Sequence, residues 1–225
     1  PSNFGRVAAQ TAKQVIIQKI KEAEKDSILS EFKDKEKTIA IGTIQKIENN
    51  IVFVNLGHGT GILGKDDQIQ GENYSVGSKI KCYIKAIEEN QRGIQILLSR
   101  SSNEFLKHLF LLEIPEINEG VVIIKNIARE AGSRSKIAVY TTQNNIDPVG
   151  SCIGQRGTRI NAIINELGEE KLDIIEYDKD IKQYITNSLA PANIENIEIN
   201  EEKKEAEVLV NKDQFSLAIG KKGQN

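Results

Sequence analysis

The chain has 225 residues, 39% of them hydrophobic and 28% charged, with a formal net charge of −2, a balance that allows one large globular domain or two to three small ones. No apolar run approaches the roughly 18–20 residues of a membrane span, and Pro1-Ser2-Asn3-Phe4 lacks the basic-then-apolar pattern of a signal peptide. Cys82 and Cys152 lie far apart without C-x-x-C spacing, and His58 and His108 are isolated. This argues against a disulfide framework or a metal site and for a reducing, cytoplasmic setting.

Residues 4–35 read as one long helix, because Val7, Ala8, Ala12, Val15, Ile16, Ile20 and Ala23 return at three- and four-residue steps among Lys, Glu and Gln. With one apolar stripe and no domain of its own, such a helix is expected to dock on neighbours missing from this sequence. The missing initiator Met fits a chain that begins inside a longer protein.

Residues 37–100 turn to short β-rich runs, Thr38–Ile47, Ile51–Leu56, Lys79–Ile87 and Gly93–Ser99, broken by Asn49-Asn50, Gly57-His58-Gly59 and Gly71-Glu72-Asn73. Four or five strands in about 60 residues predict a small barrel of the OB type. Alternation puts Val52, Val54 and Leu56 on the core face and Phe53 on the outer one, where its ring could stack on a base.

From residue 101 the pattern is mixed. A helix over 104–113 should end at Pro115. Strands follow over 121–129 and 136–142, turning at Gly132-Ser133, and then comes Asp147-Pro148-Val149-Gly150-Ser151-Cys152-Ile153-Gly154-Gln155-Arg156-Gly157. Behind it Ile160, Ile163, Ile164 and Leu167 mark a helix face that Gly168 closes. A strand over 172–177 and a helix over 181–189, stopped by Pro191, complete the unit to residue 190. The order then repeats over 191–225: strands 194–200 and 205–210, a short helix 214–219, then Gly220-Lys221-Lys222-Gly223. The chain carries an internal duplication whose second copy is cut short.

The two Gly-x-x-Gly loops hold the sharpest chemistry. A phosphodiester backbone approaches main chain most closely where no Cβ intervenes. The first turn of the helix behind such a loop offers unpaired N–H groups and a partial positive charge. Gln155, Arg156, Thr158 and Arg159 at the first loop, and Lys221 and Lys222 at the second, can add contacts to phosphate. Val149, Ile153 and Ile160 would form a floor for bases. KH modules clamp about four nucleotides of single strand in this way. One Gly-x-x-Gly is a common tight turn; two, each behind a strand pair, preceded by Ile and holding a cation, point to nucleic acid. Neither fits an NTPase phosphate loop, which needs a closing Gly-Lys-Ser/Thr.

Charge agrees locally. Lys125, Arg129, Arg134, Lys136, Arg156 and Arg159 face only Glu130 and Asp147 between residues 120 and 160, whereas acids dominate 161–207. The hairpin tip carrying Arg129, Arg134 and Lys136 is a second candidate contact. Glu169-Glu170 and Glu201-Glu202 read as solvated faces. No nucleophile stands with either His, so no catalytic residue, cofactor or small-molecule substrate is assigned.

These residues resemble the NusA family of bacterial transcription elongation, termination and antitermination factors. The likeness rests on Phe4–Gln14, on Ile127–Val139 with Asp147-Pro148-Val149-Gly150 and the loop behind it, on Ser188-Leu189-Ala190-Pro191-Ala192, and on Ala218–Gly220 with Gly223-Gln224-Asn225. The resemblance implies an α+β multidomain chain. Its parts are the end of a polymerase-binding N-terminal domain (1–36), an S1-type OB-fold barrel (37–100), and two KH domains of the bacterial type II (101–190 and a partial 191–225). It also implies binding to nascent RNA, RNA polymerase and other antitermination factors. The barrel departs from the wider S1 pattern at Asn50 and Gly64, where many RNA-binding barrels have an aromatic residue and a His. The competing reading is an RNA-binding module of an RNA-processing or degradation assembly, because polynucleotide phosphorylase also carries KH and S1-type modules, though with KH first.

Overall fold

The computed structural model describes residues 2–90 and 93–225. They fall into two compact units, residues 1–68 with 72–108 and residues 69–71 with 109–225.

The first unit opens with α1 (Ser2–Phe32). The expected stripe is present, but most of it faces outward, with Val7, Val15, Ile16 and Ile20 all more than half exposed. Only the C-terminal end docks: Phe32 is buried in the barrel core, and Ile28 packs against it. The barrel comprises β1 (Ile39–Glu48), β2 (Ile51–Asn55), β3 (Thr60–Leu63), β4 (Lys79–Asn90) and β5 (Gly93–Ser99), closed in the order β1-β2-β3-β5-β4. All neighbours are antiparallel except β3 and β5. Closure leaves no unpaired sheet edge. Ile44, Val52, Val54, Leu63, Ile84, Ile96 and Leu98 fill the interior. The alternation read in β2 holds, with Val52 and Val54 buried and Phe53 only partly covered. β3 is the strand the sequence hides: it is four residues long, and a Cβ on its Gly61 would overlap the Leu98 side chain. Arg100 is buried at the barrel's end, where its Nε donates to Glu72 Oε2 at 2.9 Å and its guanidinium lies over the Phe105 ring.

The chain crosses into the second unit within α2 (Asn103–Glu113), followed by a single turn, α3 (Pro115–Asn118). Pro115 therefore ends one helix and opens the next, at the first-turn position where its missing N–H costs nothing. Then come β6 (Val122–Glu130), β7 (Arg134–Thr141), α4 (Pro148–Ile153), α5 (Thr158–Leu167) and β8 (Lys171–Glu176). The sheet order is β6-β7-β8, with β6/β7 antiparallel and β7/β8 parallel. A parallel pair needs a crossover, which α4 and α5 supply. Ile137, Val139, Cys152, Ile163 and Leu167 are buried in this module. α6 (Ile181–Leu189) follows, and the repeat is β9 (Ile194–Asn200), β10 (Glu205–Val210) and α7 (Phe215–Ile219), with β9 and β10 antiparallel. α6 bears on the first module: Lys136 Nζ donates to the Ser188 carbonyl at 2.6 Å, and the Tyr177 and Tyr184 rings meet edge-on at 5.1 Å.

Candidate nucleic-acid interface

α4 places the first loop. Asp147 caps it, its Oδ1 accepting from Val149 N at 3.1 Å, and Pro148 occupies the first turn. The Asp-Pro pair is a helix-start signal in the sequence, yet the helix it opens is too short for periodicity to reveal. The chain leaves α4 at Gly154 (φ +73), turns through Arg156 (φ +55) and Gly157 (φ +76), and enters α5. α5 has no side-chain cap, although its first amide is already used, Thr158 N donating to the Gln155 carbonyl. Gln155, Arg156 and Thr158 are exposed, and neither the Arg156 nor the Thr158 side chain has a hydrogen-bonding or ionic partner among the described residues. An open cleft of about 740 Å³ runs alongside, lined by Glu116, Asp147, Ser151, Gln155, Thr158 and Arg159 among others.

The second loop repeats this backbone closely: Gly220 (φ +73), Lys222 (φ +58) and Gly223 (φ +76). Lys221 and Lys222 are exposed. Even the buttress recurs. Arg159 Nη1 donates to the Ser151 carbonyl at 2.6 Å, and Asn225 Nδ2 donates to the Leu217 carbonyl at 2.7 Å. A Cβ on Gly154 would press into the Arg159 side chain at 2.7 Å, and one on Gly220 would crowd Asn225 at 3.0 Å, so space adds to φ in favouring glycine, more strongly at Gly154.

The remaining cations are differently placed. Arg159 also pairs with Glu116 at 2.8 Å. Arg134 pairs with Asp173 at 2.6 Å. Lys136 is partly buried, and its pKa is lowered by burial first and by the neighbouring Arg134 second. Arg129 is buried and forms a two-pronged pair with Glu170, Nε to Oε1 and Nη2 to Oε2, both at 2.9 Å. The expectation that Glu170 is solvated is corrected: it is 1% exposed. Its carboxylate also accepts from Gly132 N (3.0 Å) and Ser135 Oγ (2.6 Å). Burial alone would raise its pKa; the bonds from Arg129, Ser135 and Gly132 outweigh it and hold the carboxyl below its usual value. The sequence signal for this role was weak, because an acid beside another acid after a helix-ending glycine looks like surface. Cys152, in α4, is buried, and its thiol is pushed up to about 12 by burial and the nearby Glu116, so it is chemically quiet. In the barrel unit, Lys46 Nζ lies 4.5 Å from the centre of the Phe53 ring.

Three family models match the chain: the NusA N-terminal domain over residues 2–26, the NusA-like first KH domain over 100–177, and the NusA-like second KH domain over 181–225. Each KH match contains one of the two loops. Curated relatives align along the whole chain. The transcription termination/antitermination proteins NusA of Bacillus subtilis and Thermus thermophilus are each 46% identical, and that of Halalkalibacterium halodurans is 44% identical. The chain belongs to the NusA family. It spans 61%, 58% and 59% of the length of those three NusA proteins, in that order. The second NusA KH match begins at α6, the helix that bears on the first module.

Proposed function

We propose that this chain is the RNA-holding part of a transcription factor that binds nascent single-stranded RNA and acts with RNA polymerase in pausing, termination and antitermination. One observation carries the RNA reading: two loops 66 residues apart adopt the same positive-φ turn between two glycines and leave their cations exposed. A non-glycine residue in the left-handed region costs roughly 1–2 kcal/mol, and the chain accepts that cost at both Arg156 and Lys222. Strain kept twice at one motif suits a clamp for phosphate. The names of the relatives supply the transcriptional setting, and RNA polymerase and other antitermination factors are the partners that setting implies, in the cytoplasm.

In this reading residues 37–100 form an S1-type OB barrel, supported by the closed β1-β2-β3-β5-β4 order. Residues 101–190 and 191–225 are KH modules of the bacterial type II, supported by the order two helices, two strands, two helices, strand, helix in the first. Gly154, Gln155, Arg156, Gly157 and Thr158, with Gly220, Lys221, Lys222 and Gly223, meet the RNA backbone. Arg129, Arg134, Lys136 and Arg159 act on RNA mainly through the surfaces their bonds organise. Phe53 offers one stacking face in the barrel. Because base stacking is worth roughly 1–3 kcal/mol per base, the missing platforms at Asn50 and Gly64 leave the KH pair as the main source of affinity. The test is the combined Gly154→Asp and Gly223→Asp variant: single-stranded RNA binding is expected to disappear while far-UV circular dichroism stays native. Unchanged binding would refute the assignment.

A further inference from the structure

The second loop follows the first at an offset of 66 residues, from Gly154 to Gly220 and from Gly157 to Gly223, so the loops can be compared position by position. They agree at the glycines, at the left-handed cation between them and at the buttress of Arg159 and Asn225. They part directly after the second glycine. There the first copy has Thr158, exposed and without a side-chain partner among the described residues, and the second has Gln224. Gln224 Nε2 donates to Ser133 Oγ at 2.6 Å and to Glu130 Oε2 at 2.8 Å, both on the first module's β6–β7 hairpin.

We infer that Gln224 is a positioning residue that latches the second Gly-x-x-Gly loop to the hairpin of the first module, so that one strand of RNA meets both loops as a single preformed track. The inference rests on the RNA reading above. The hairpin is a firm anchor, since the buried Glu170 ties together Arg129, Gly132 and Ser135 across it. Glu170 stands two residues beyond Gly168, which ends α5, and α5 begins at the first loop. A path of bonds thus runs from the first loop through α5, Glu170 and the hairpin to Gln224 and the second loop. Holding two sites at fixed spacing makes the second binding event intramolecular and raises affinity only for a ligand that reaches both.

The experiment uses the 225-residue chain and single-stranded RNAs of about four and about twelve nucleotides, one and three times a KH footprint. Gln224→Ala and Ser133→Ala are each expected to weaken the longer RNA about tenfold and the shorter less than about twofold, with the double variant no worse than either single one. Unchanged affinity for the longer strand, or an equal loss for both lengths, overturns the latch. Hydrogen exchange in the RNA-free chain decides independently. Gln224→Ala should speed exchange at residues 130–133 as well as 220–224, and an unaltered hairpin overturns the latch even if the unsubstituted chain binds neither RNA. That last failure would count against the RNA reading alone.

Discussion

Gly154 and Gly223 share a positive φ but not the same surroundings. A Cβ on Gly154 would stand 2.7 Å from Arg159 Cγ, whereas one on Gly223 meets nothing within 4 Å. At both sites an L side chain pays roughly 1–2 kcal/mol for its φ, but only at Gly154 must it also displace the Arg159 buttress and its bonds to Glu116 and Ser151. Gly154→Asp is therefore expected to lower stability more than Gly223→Asp, as urea midpoints will show, while both weaken RNA binding. Equal destabilisation would mean that the Arg159 side chain moves aside at no cost. The glycines, the cations between them and the outward-facing, partly covered Phe53 were readable as single letters, because each needs only its own chemistry to be noticed.

At the scale of elements, the β6–β7 hairpin depends on a charge the sequence conceals. Glu170 has a pKa below the usual carboxylate value in the folded chain. Its stabilising contribution is thus fully present above the unfolded value, near 4.5, and is lost as pH falls through the lower folded value. Acid titration of stability should show the loss beginning below about pH 4.5, and Glu170→Gln should flatten that part of the profile. Arg129→Ala, which leaves Glu170 buried and unpaired, is expected to cost roughly 3–5 kcal/mol in denaturant unfolding. Most elements were legible in chain order because periodicity and turn residues are local: β5, α6, β9 and β10 lie where the patterns put them. β3 and α4 were not. A four-residue strand holding a glycine has no alternation to read, and a six-residue helix is too short for a period, so only its Asp147-Pro148 start gave it away. The bonds of Glu170 and Gln224 span 35 to 94 residues, a separation no local pattern encodes.

For the whole molecule, a net charge of −2 says little about binding, because the arginines and lysines near the two loops are placed in different ways. Arg156, Lys221 and Lys222 are exposed at the loops, and Arg129, Arg134 and Arg159 are held by Glu170, Asp173 and Glu116. Of these, only the first three can release counterions from RNA. Removing one such cation should reduce the slope of log Kobs against log salt by about 0.7. Arg156→Ala and Lys222→Ala are expected to do so, and Arg134→Ala to leave the slope nearly unchanged. The central claim, that both loops hold RNA, is tested most directly by photo-cross-linking a single-stranded RNA to the intact chain and mapping the modified residues. The account predicts adducts within 153–158 and within 219–224 together. Adducts confined to the barrel or to the acidic β9–β10 hairpin, with both loops unmarked, would contradict it.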